Sequence, residues 1–327
     1  MVFEFITGGG LSRQELPDSL VKEGLLMLKA LVNELVFFTD IQLTITLDWR
    51  ICGIELPKNI KVIKVSKEQC IYDLLPDLIE DSDSIWPIAP EIDGVLYKIT
   101  QLIEQKNKQL LNSSSQAIAI CGDKLATIKC LSSKGIATVA SQQLNEFSQD
   151  FDSPWVVKSK DGVGCLDSYF VSDNDELVRV NKQIKCHVDY LIQPYVNGQS
   201  LSLSCLFKEG KAWLISCNIQ VVSINNGAFV LERCIVNIDT ENFDVYQKLI
   251  DQIADIIPGL SAYVGIDIIQ PEDAQPLVLE INPRLTTSYV GINQAIGCNV
   301  AKTIIKMTEF EPVIKKTCNK QITVLTN

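Results

Sequence analysis

The sequence predicts an α/β protein with two or three lobes around a shared cleft. From residue 2 to about residue 110, short apolar strands alternate with helical patterns, which is typical of a mostly parallel sheet covered by helices. Beyond Ser200 the chain becomes rich in strands. Its 327 residues also exceed the usual size of a single domain. We therefore expect a first α/β layer followed by lobes of mixed α+β structure.

The alternating elements occupy the first 112 residues. Gly8, Gly9 and Gly10 follow the first strand, at the carboxyl end where sheets of this kind bind ligands. Gly9 and Gly10 are therefore candidate substrate contacts, although a plain glycine turn fits the pattern equally well. Strands are predicted at residues 2–6, 42–47, 62–65 and 84–89, and helices at residues 19–38 and 95–110.

A polar stretch at residues 112–115 marks the predicted domain boundary. The expected domains are residues 1–112 and residues 113–327. The second is divided into a lid and central lobe, residues 113–193, and a lobe of long strands, residues 194–327. Its predicted elements are helices at residues 123–134, 175–182 and 244–257, and strands at residues 155–158, 168–171, 190–193, 201–208 and 212–222.

Composition and charge exclude several classes of protein. A net charge of -11 and a pI near 4.7 argue against a nucleic-acid partner, because phosphate backbones are bound by clustered Lys and Arg. The eleven cysteines form no C-x-x-C pair and are expected to be reduced. His187 is the only histidine, which excludes a histidine-dependent triad or zinc cluster. The start does not resemble a signal peptide and no apolar stretch approaches a membrane span, so we expect a soluble, cytoplasmic protein.

Three oxygen-bearing side chains, Asp267, Glu280 and Asn282, lie on two neighbouring apolar runs. The turn residues between these runs predict a hairpin, and residues two apart on a strand share a face. An apolar sheet does not tolerate such groups without a partner, and Mg²⁺ takes hard oxygen ligands. The pattern predicts a magnesium site. The alternative is a pair of strand-end acids with an incidental asparagine.

Two lysines precede this predicted hairpin. Lys158 ends an apolar strand and is followed by a loop that contains Asp161, Gly162 and Gly164. Such a loop can offer an ammonium group and closely approaching backbone N–H groups to a phosphate. Lys124 is the second candidate for the same task. The alternative is a lysine before an ordinary surface turn.

The segment Gln193, Pro194, Tyr195 and Val196 lies between a predicted strand and an Asn-Gly turn, as a hinge between two lobes would. The fixed C=O and N–H groups of a hinge can recognise an adenine base. An ordinary exit from a strand fits the pattern equally well. The chain lacks G-x-x-x-x-G-K-[ST], and a protein kinase would carry its glycine loop before the strand lysine.

The order of these pieces along the chain resembles the ATP-grasp ligases. Lys124, Lys158 with its glycine loop, the hinge at 193–196, Asp267 and the segment 280–284 follow one another as they do in that family. The resemblance covers the second predicted domain. The α/β region before it is similar to the Rossmann-like pre-ATP-grasp domain of the family. It implies an ATP-grasp fold and ATP as the nucleotide.

The resemblance implies roles for the nucleotide-binding residues. Lys124 and Lys158 would contact the α- and β-phosphates of ATP, with the loop that contains Asp161, Gly162 and Gly164 closing over them. In the hinge, the backbone at Pro194 and Val196 would meet the adenine, and Gln193 would lie beside its amino group.

The resemblance also implies a metal set and a catalytic pair. Asp267, Glu280 and Asn282 would bind two Mg²⁺ ions, or Mn²⁺. Arg284 would be free to neutralise charge on the transferring phosphoryl group or the acyl phosphate, the electrostatic task that dominates this chemistry. Arg284 and Lys158 are therefore the expected catalytic residues.

The chain departs from the family pattern at two positions. Many members carry a glutamate for the ribose hydroxyls shortly after the hinge glycine, where this chain has Gln199 and Ser200. Either nucleotide affinity is modest or Gln199 takes over that role. Gly265 stands where an arginine often precedes the metal aspartate.

Residues 3–10 and 282–291 resemble a narrower subgroup of carboxylate–amine ligases. This subgroup contains the tyramine–glutamate ligase of methanofuran synthesis and relatives in methylotrophic bacteria that make a similar one-carbon carrier. The segment around Asn218 also looks like the subgroup, on a strand that could face the substrate. The substrate contacts expected on these grounds are Gly9, Gly10, Asn218, Gln220, Thr286 and Thr287.

The expected reaction is an ATP-dependent ligation between a small-molecule carboxylate and an amine. ATP would phosphorylate the γ-carboxylate of glutamate, and tyramine or a tyrosine-like amine would attack the acyl phosphate. Glu4 and Asp161 are the candidates for the proton acceptor. The family resemblance favours a homodimer. Alternatives are a ligase for D-alanine or another amino-acid pair, a small-molecule kinase, and a non-catalytic nucleotide-binding regulator.

Overall fold

The N-terminal part of the chain forms a parallel sheet, as the sequence predicts. The computed structural model describes residues 1–326. The strands of the first sheet are β1 (Val2–Glu4), β2 (Thr44–Asp48), β3 (Lys61–Val65), β4 (Ser84–Ile88) and β5 (Gln109–Leu110). They pair in the order β3-β2-β1-β4-β5, and each neighbouring pair is parallel. The carboxyl ends of these strands therefore meet at one edge of the sheet.

Three helices connect the strands of this sheet, and two of them were predicted. The predicted helix at 95–110 is too long: Asn107 adopts a φ of 53°, and the next residues form β5. The second helix was missed, although Ile71, Leu75 and Ile79 form a buried stripe at helical spacing. These helices are α1 (Asp18–Leu35), α2 (Ile71–Glu80) and α3 (Val95–Gln105).

The rest of the chain builds a second, antiparallel sheet. Its strands are β6 (Gln142–Gln143), β7 (Trp155–Ser159), β8 (Ser168–Val171), β9 (Tyr190–Pro194), β10 (Gln199–Lys208), β11 (Lys211–Asn225), β12 (Ala228–Val236), β13 (Ala262–Gln270), β14 (Leu277–Asn282) and β15 (Ile322–Leu325). The order is β14-β13-β10-β11-β12-β8-β7-β9-β6, with β15 paired to β12. The predicted strands are present, whereas β6, β12 and β15 were not anticipated.

The second sheet has a narrow joint in its middle. Only Ala228 of β12 and Tyr169 of β8 pair across it. On one side lie the long strands β10 to β14, and on the other lie β6 to β9 with their own apolar cluster around Trp155 and Val157. The two halves thus form separate walls that face a common space.

Six further helices cover this sheet or join it to the first. One core cluster contains Leu31 of α1 and Tyr289 and Ile292 near the C-terminal end, so the N- and C-terminal parts share buried apolar contacts. A second cluster packs Tyr246 and Ile253 against the long strands. The helices are α4 (Ser115–Cys121), α5 (Lys124–Ser132), α6 (Asn174–Gln183), α7 (Phe243–Ile256), α8 (Tyr289–Ile296) and α9 (Val300–Met307).

Two expectations from composition concern the whole chain. Among residues 1–326, which include every cysteine of the sequence, all eleven thiols are free. None of the helices in that part of the chain is long and apolar enough to cross a membrane.

Candidate active site

The hairpin predicted to hold a metal is present in the structure. β13 and β14 pair antiparallel, and Asp267 lies directly opposite Glu280. The register shifts immediately after Asp267, and such irregularities re-aim side chains. Asn282 follows two residues after Glu280, and its Nδ2 donates to Asp267 Oδ2 at 3.2 Å. The hairpin therefore brings the three predicted metal ligands together.

The two carboxylates of the hairpin have opposite electrostatic surroundings. Burial raises the pKa of Asp267, and the charge of Glu280 raises it further. Burial also raises the pKa of Glu280, but the ammonium groups of Lys124 and Lys158 outweigh this effect and hold it below its usual range. Lys124 Nζ lies 3.0 Å from Glu280 Oε2. The lysines thus balance Glu280, whereas no lysine or arginine among residues 1–326 forms an ion pair with Asp267.

Asp267 is fixed by neutral donors. Gln220 Nε2 donates to Asp267 Oδ1 at 3.0 Å, and Asn282 holds the other oxygen. Because Asn282 donates through Nδ2, its Oδ1 remains a further oxygen ligand. Two adjacent buried carboxylates, of which Glu280 raises the pKa of Asp267, with an amide oxygen beside them, fit a divalent cation such as Mg²⁺. Gln220, predicted as a substrate contact, lines the cavity but is occupied in positioning Asp267.

Both predicted phosphate lysines face the same space as the acidic hairpin. Lys158 lies on β7, and burial lowers its pKa to about 8, because the charge of Glu280 only partly compensates for desolvation. Lys124 begins α5, and its backbone N–H donates to Lys160 O at 2.9 Å. Its Nζ also donates to the carbonyl of Gly162. Lys124 therefore ties the glycine loop to the metal hairpin.

The glycine loop after β7 lies over the lysines. Gly162 and Gly164 line the cavity, and Gly164 has a φ of 60°, a conformation that glycine adopts without strain. Asp161 was predicted to bind the nucleotide, but its side chain lies outside the cavity lining. Its carboxylate accepts hydrogen bonds from Ser159 Oγ at 2.9 Å and Asp93 N at 3.0 Å. Asp161 thereby connects the loop to the segment between β4 and α3 rather than reaching into the cavity.

The predicted hinge connects β9 to β10 and forms one wall of the cavity. Gln193, Pro194, Tyr195 and Val196 all line it. Gln193 Nε2 donates to Ser141 Oγ at 2.7 Å, which fixes the side chain beside the hinge. Apolar side chains that the sequence did not single out complete this wall: Val156, Ile224, Phe229, Ile269 and Leu279.

Gln199 does not take the place of a ribose-binding glutamate. It is exposed, pairs with Gln270 across two strands, and lies outside the cavity lining. Ser200 lines the cavity instead, and its Oγ donates to Gln220 Oε1 at 3.1 Å. Because alternate residues of a strand point to opposite faces, Gln199 and Ser200 do not share a face.

Arg284 lines the cavity but is not free, in contrast to the sequence prediction. Its Nε and Nη2 donate to Glu91 Oε1 and Oε2, each at 2.9 Å, which is a bidentate ion pair. Burial lowers the pKa of Arg284, but Glu91 and the other acids outweigh this effect and raise it. Sequence reasoning missed Glu91, because 193 positions separate the two residues.

The loop after β14 places Thr286 and Thr287 on the cavity wall, as predicted for substrate contacts. Tyr263 shares a hydrogen bond of 2.9 Å with Thr286 Oγ1. Thr286 also explains Gly265: a Cβ at that position would lie 2.5 Å from Thr286 Cγ2. An arginine cannot occupy position 265 while Thr286 packs there.

Three other predicted substrate contacts lie outside the cavity lining. Asn218 is fully buried, and its Nδ2 donates to Ser202 O at 2.8 Å, so its amide serves the protein interior. Gly9 packs against Val65, where a Cβ would lie 2.6 Å from Val65 Cβ. Gly10 packs with similar closeness against a phenylalanine ring. For Gly9 and Gly10, the structure therefore agrees with the alternative of a plain glycine turn.

The hinge, the two lysines, the glycine loop, the acidic hairpin, Arg284 and the two threonines line one continuous cavity of about 560 Å³. It extends from the hinge, past the acidic hairpin, to the N-terminal sheet and α1. Glu4 and Glu23 line its far end, and Glu23 was not anticipated. A signal for Glu23 was present in the sequence, since it is an acid in the apolar stripe of a predicted helix.

The fold and this cavity define a class of protein: an enzyme that binds a nucleotide between two halves of an antiparallel sheet. The chain belongs to the ATP-grasp family, because the model of the ATP-grasp domain matches residues 121–288, more than half of its length. Residues 41–118 match the pre ATP-grasp 3 domain. Both the fold class and the family resemblance are therefore confirmed.

Two curated relatives match almost the whole chain. The tyramine–L-glutamate ligase of Methanocaldococcus fervens is 27% identical over 327 residues, covering 99% of each chain. The enzyme of the same name from Methanocaldococcus jannaschii is 28% identical, covering 99% of this chain and 94% of that one. The prediction of an ATP-dependent carbon–nitrogen ligase is confirmed at this level.

Two solved structures share the fold. An ATP-grasp superfamily protein from Archaeoglobus fulgidus has a TM-score of 0.72 at 25% identity, covering 99% of this chain and 91% of its own. The biotin carboxylase domain of the Hydrogenobacter thermophilus 2-oxoglutarate carboxylase has a TM-score of 0.66 at 16% identity. That alignment covers 80% of this chain and 62% of the other, and the domain was solved with MgADP.

Proposed function

We propose that this protein joins the γ-carboxylate of L-glutamate to tyramine, or to a closely similar amine, at the expense of ATP. The observation that carries the proposal is the single cavity that contains the hinge, the lysine pair, the acidic hairpin and Arg284. The similarity to tyramine–L-glutamate ligases extends over both sheets and supports this choice of substrates. The product would serve synthesis of a methanofuran-type one-carbon carrier.

The nucleotide end of the cavity suits ATP in three ways. The apolar wall beside Pro194 and Val196 offers a flat space for the adenine, with backbone groups at its edge. Lys124 and Lys158 offer two ammonium groups to the α- and β-phosphates. The backbone of the glycine loop can approach those phosphates closely, because Gly164 has no Cβ.

The acidic hairpin suits the metal that accompanies ATP. Asp267, Glu280 and Asn282 would hold Mg²⁺ through oxygen atoms. When bound, the metal supplies Lewis-acid polarisation of the phosphoryl oxygens and charge neutralisation. The hydrogen bond from Gln220 keeps Asp267 in place for this role. Two ions, or Mn²⁺ in place of Mg²⁺, belong to the same proposal.

The first chemical step is activation of the carboxylate. A γ-carboxylate oxygen attacks the γ-phosphorus of ATP, the bond to the β-phosphate oxygen breaks, and ADP leaves. Lys158 and Arg284 stabilise the negative charge that is redistributed in this step. The Glu91 carboxylate holds the Arg284 guanidinium in a fixed orientation, so less reorganisation is required when the charge develops.

The second step forms the amide. The amine nitrogen attacks the carbonyl carbon of the acyl phosphate, and the carbon–oxygen bond to phosphate breaks. Holding both reactants in one cavity raises their effective concentration. The proposal also includes a domain boundary after residue 112 and a homodimeric assembly of the protein.

Phosphate release is the test of the proposed function. The purified protein is incubated with ATP, Mg²⁺ and L-glutamate, and with tyramine, L-tyrosine or no amine. Mass spectrometry identifies the products. We expect ADP, phosphate and a γ-glutamyl amide with tyramine only. Reactions without ATP, and with D-alanine in place of glutamate, are the controls.

Other outcomes would favour the alternatives. A stable phosphorylated product that does not depend on an amine would indicate a small-molecule kinase. Turnover with D-alanine or another amino-acid pair would indicate a different ligase of the family. ATP binding without turnover across the panel would indicate another acceptor pair or a regulator.

A further inference from the structure

Helix α1 presents a stripe of four residues to the cavity. Leu20, Glu23, Gly24 and Met27 all line it, and their spacing of three, four and seven positions places them on one helical face. Glu23 is the one ionisable member of this stripe. An acid on an otherwise apolar cavity wall needs a physical reason, because its charged form loses solvation there.

The position of α1 is set by a close approach to β1. A Cβ on Gly24 would lie 2.8 Å from the carboxylate carbon of Glu4. Only glycine therefore allows α1 to lie this close to the end of β1. As a consequence, the preceding residue, Glu23, lies over the cavity.

Glu23 lies beside the groups proposed to handle phosphate. A Cβ on Gly164 would lie 3.6 Å from Glu23 Oε1, so the glycine loop passes directly over the carboxylate. The Arg284 guanidinium and the Thr287 side chain both lower the pKa of Glu23, so both lie near this carboxylate. Glu23 is therefore adjacent to the place where the acyl phosphate would form.

The charge of Glu23 is compensated only in part by the protein. Among residues 1–326, no lysine or arginine forms an ion pair with it, because Arg284 is paired with Glu91. Burial raises the pKa of Glu23, while Arg284 and Thr287 lower it only in part. The charge of Glu23 in turn adds to the effect of burial in raising the pKa of the Cys165 and Cys234 thiols, so both thiols stay neutral. Such a carboxylate suits a positively charged ligand.

The two acids considered from the sequence as proton acceptors are already occupied. Glu4 accepts hydrogen bonds from Ile6 N at 3.2 Å and Thr7 N at 2.6 Å, and a further one from the Thr7 hydroxyl. Asp161 is held by the loop and by the segment between β4 and α3. Both carboxylates therefore serve the protein itself.

We propose that Glu23 holds the ammonium group of the attacking amine and accepts the proton that this group must lose. This inference rests on the proposed function. One ammonium proton moves to the Glu23 carboxylate, and the freed electron pair forms the carbon–nitrogen bond as the carbon–oxygen bond to phosphate breaks. A second nitrogen-bound proton leaves with the phosphate. Glu23 then returns its proton to water.

The surroundings of Glu23 also define the class of amine. Leu20 and Met27 flank it on α1, and Ile88 and Ala89 line the cavity at the end of β4. These side chains suit an apolar or aromatic body attached to the ammonium. An additional carboxylate next to the ammonium, as in tyrosine, would be repelled by Glu23. The site therefore selects tyramine-like amines over amino acids.

The experiment compares two nucleophiles in wild type, Glu23→Gln and Asp18→Asn. Hydroxylamine is mostly uncharged at neutral pH and traps an acyl phosphate as a hydroxamate without a base. We expect Glu23→Gln to lower kcat/KM for tyramine about 100-fold, the lower end of general-base effects. The rate of hydroxamate formation and the KM values for ATP and glutamate should stay within about threefold of wild type. This change is much smaller than the loss expected in kcat/KM for tyramine. Asp18, an exposed acid that begins α1, is the matched control, and Asp18→Asn should behave as wild type.

The possible outcomes separate this inference from the proposed function. Hydroxamate formation by Glu23→Gln demonstrates a folded enzyme that still activates glutamate. Unchanged amide formation by that variant would overturn the role of Glu23. A raised KM for glutamate alone would also overturn it, because Glu23 would then hold the α-ammonium of glutamate. If wild type forms neither hydroxamate nor amide, the proposed function fails first.

Discussion

The two ends of the cavity are built on different principles. At the nucleotide and metal end, the polar contacts lie within the second sheet and its helices: Lys124 pairs with Glu280, and Gln220 and Asn282 fix Asp267. At the substrate end, Arg284 is paired with an acid from the N-terminal part of the chain, and Glu23 has no charged partner among the described residues.

This difference indicates what each end requires from its ligand. The nucleotide end is held in shape by its own hydrogen bonds, so it is preorganised before ATP arrives. The substrate end depends on the packing of α1 against α8 and α9, and on one ion pair between distant parts of the chain. In the proposed reaction, its remaining negative charge is balanced by the ammonium group of the substrate.

The largest effect is expected from the loss of Glu280 at the nucleotide end. Glu280→Ala removes the proposed metal ligand and leaves Lys124 and Lys158 without their counter-charge. We expect kcat to fall about 1000-fold, which corresponds to roughly 4 kcal/mol of lost transition-state stabilisation. Steady-state ADP release with saturating substrates measures it. Glu272→Ala, an exposed acid in the turn of the same hairpin, is the control, and an active Glu280→Ala enzyme would refute the metal assignment.

The ion pair at the substrate end should contribute to stability as well as to orientation. Glu91→Ala leaves the Arg284 guanidinium buried without a partner, which we expect to cost about 3 kcal/mol of unfolding free energy. Urea denaturation measures this loss. The double variant Glu91→Ala/Arg284→Ala should be more stable than the sum of the single losses predicts.

A surface ion pair provides the control for this comparison. Lys211 and Glu311 form a pair that is about two-thirds exposed, with side-chain accessibilities of 65% and 64%. Lys211→Ala should leave unfolding by urea unchanged. Additive losses at positions 91 and 284 would show that the buried pair does not act as a unit.

A smaller effect is expected from the second lysine of the nucleotide end. Lys158→Ala should raise the KM for ATP about tenfold, since a hydrogen bond to a charged group contributes about 1.5 kcal/mol. The KM for tyramine should not change, because the lysine lies at the other end of the cavity. Lys134→Ala, an exposed lysine just after α5, is the control. Equal changes in both KM values would contradict the separation of the two ends.

The smallest effect concerns the packing of α1, and it depends on pH. Glu34 of α1 accepts hydrogen bonds from Tyr289 Oη at 3.1 Å and Ala301 N at 2.8 Å, and burial raises its pKa despite these bonds. A raised folded pKa means that stability is greatest below the unfolded pKa of about 4.3 and is lost as pH rises through the folded value.

Glu34→Gln removes this titration and keeps the shape of the side chain. We therefore expect its Tm to exceed that of wild type at pH 7.5, with the difference disappearing near pH 4. Thermal unfolding across this pH range measures the difference. A Tm below that of wild type at neutral pH would mean that the charged carboxylate stabilises the α1 contact.

The sequence was most informative where function depends on local spacing. Glu280 and Asn282 are two residues apart on a strand, so a period of two already placed them on one face. The glycine loop and the hinge were likewise predicted from short motifs that directly follow a strand. The prediction that Gln199 binds the ribose was wrong, because Gln199 and Ser200 lie on opposite faces of β10. Which of the two faces the cavity is defined only by the pairing of β10 with β13.

What the sequence by itself determined is the class of fold and the nucleotide end, because strand alternation, turn residues and short motifs act over a few residues. Only the tertiary structure decided that Arg284 pairs with Glu91, that Asn218 serves the interior, and that Glu23 faces the cavity. These outcomes depend on how α1 packs against a sheet formed by distant residues. Such contacts have no fixed separation along the chain, so no local pattern encodes them.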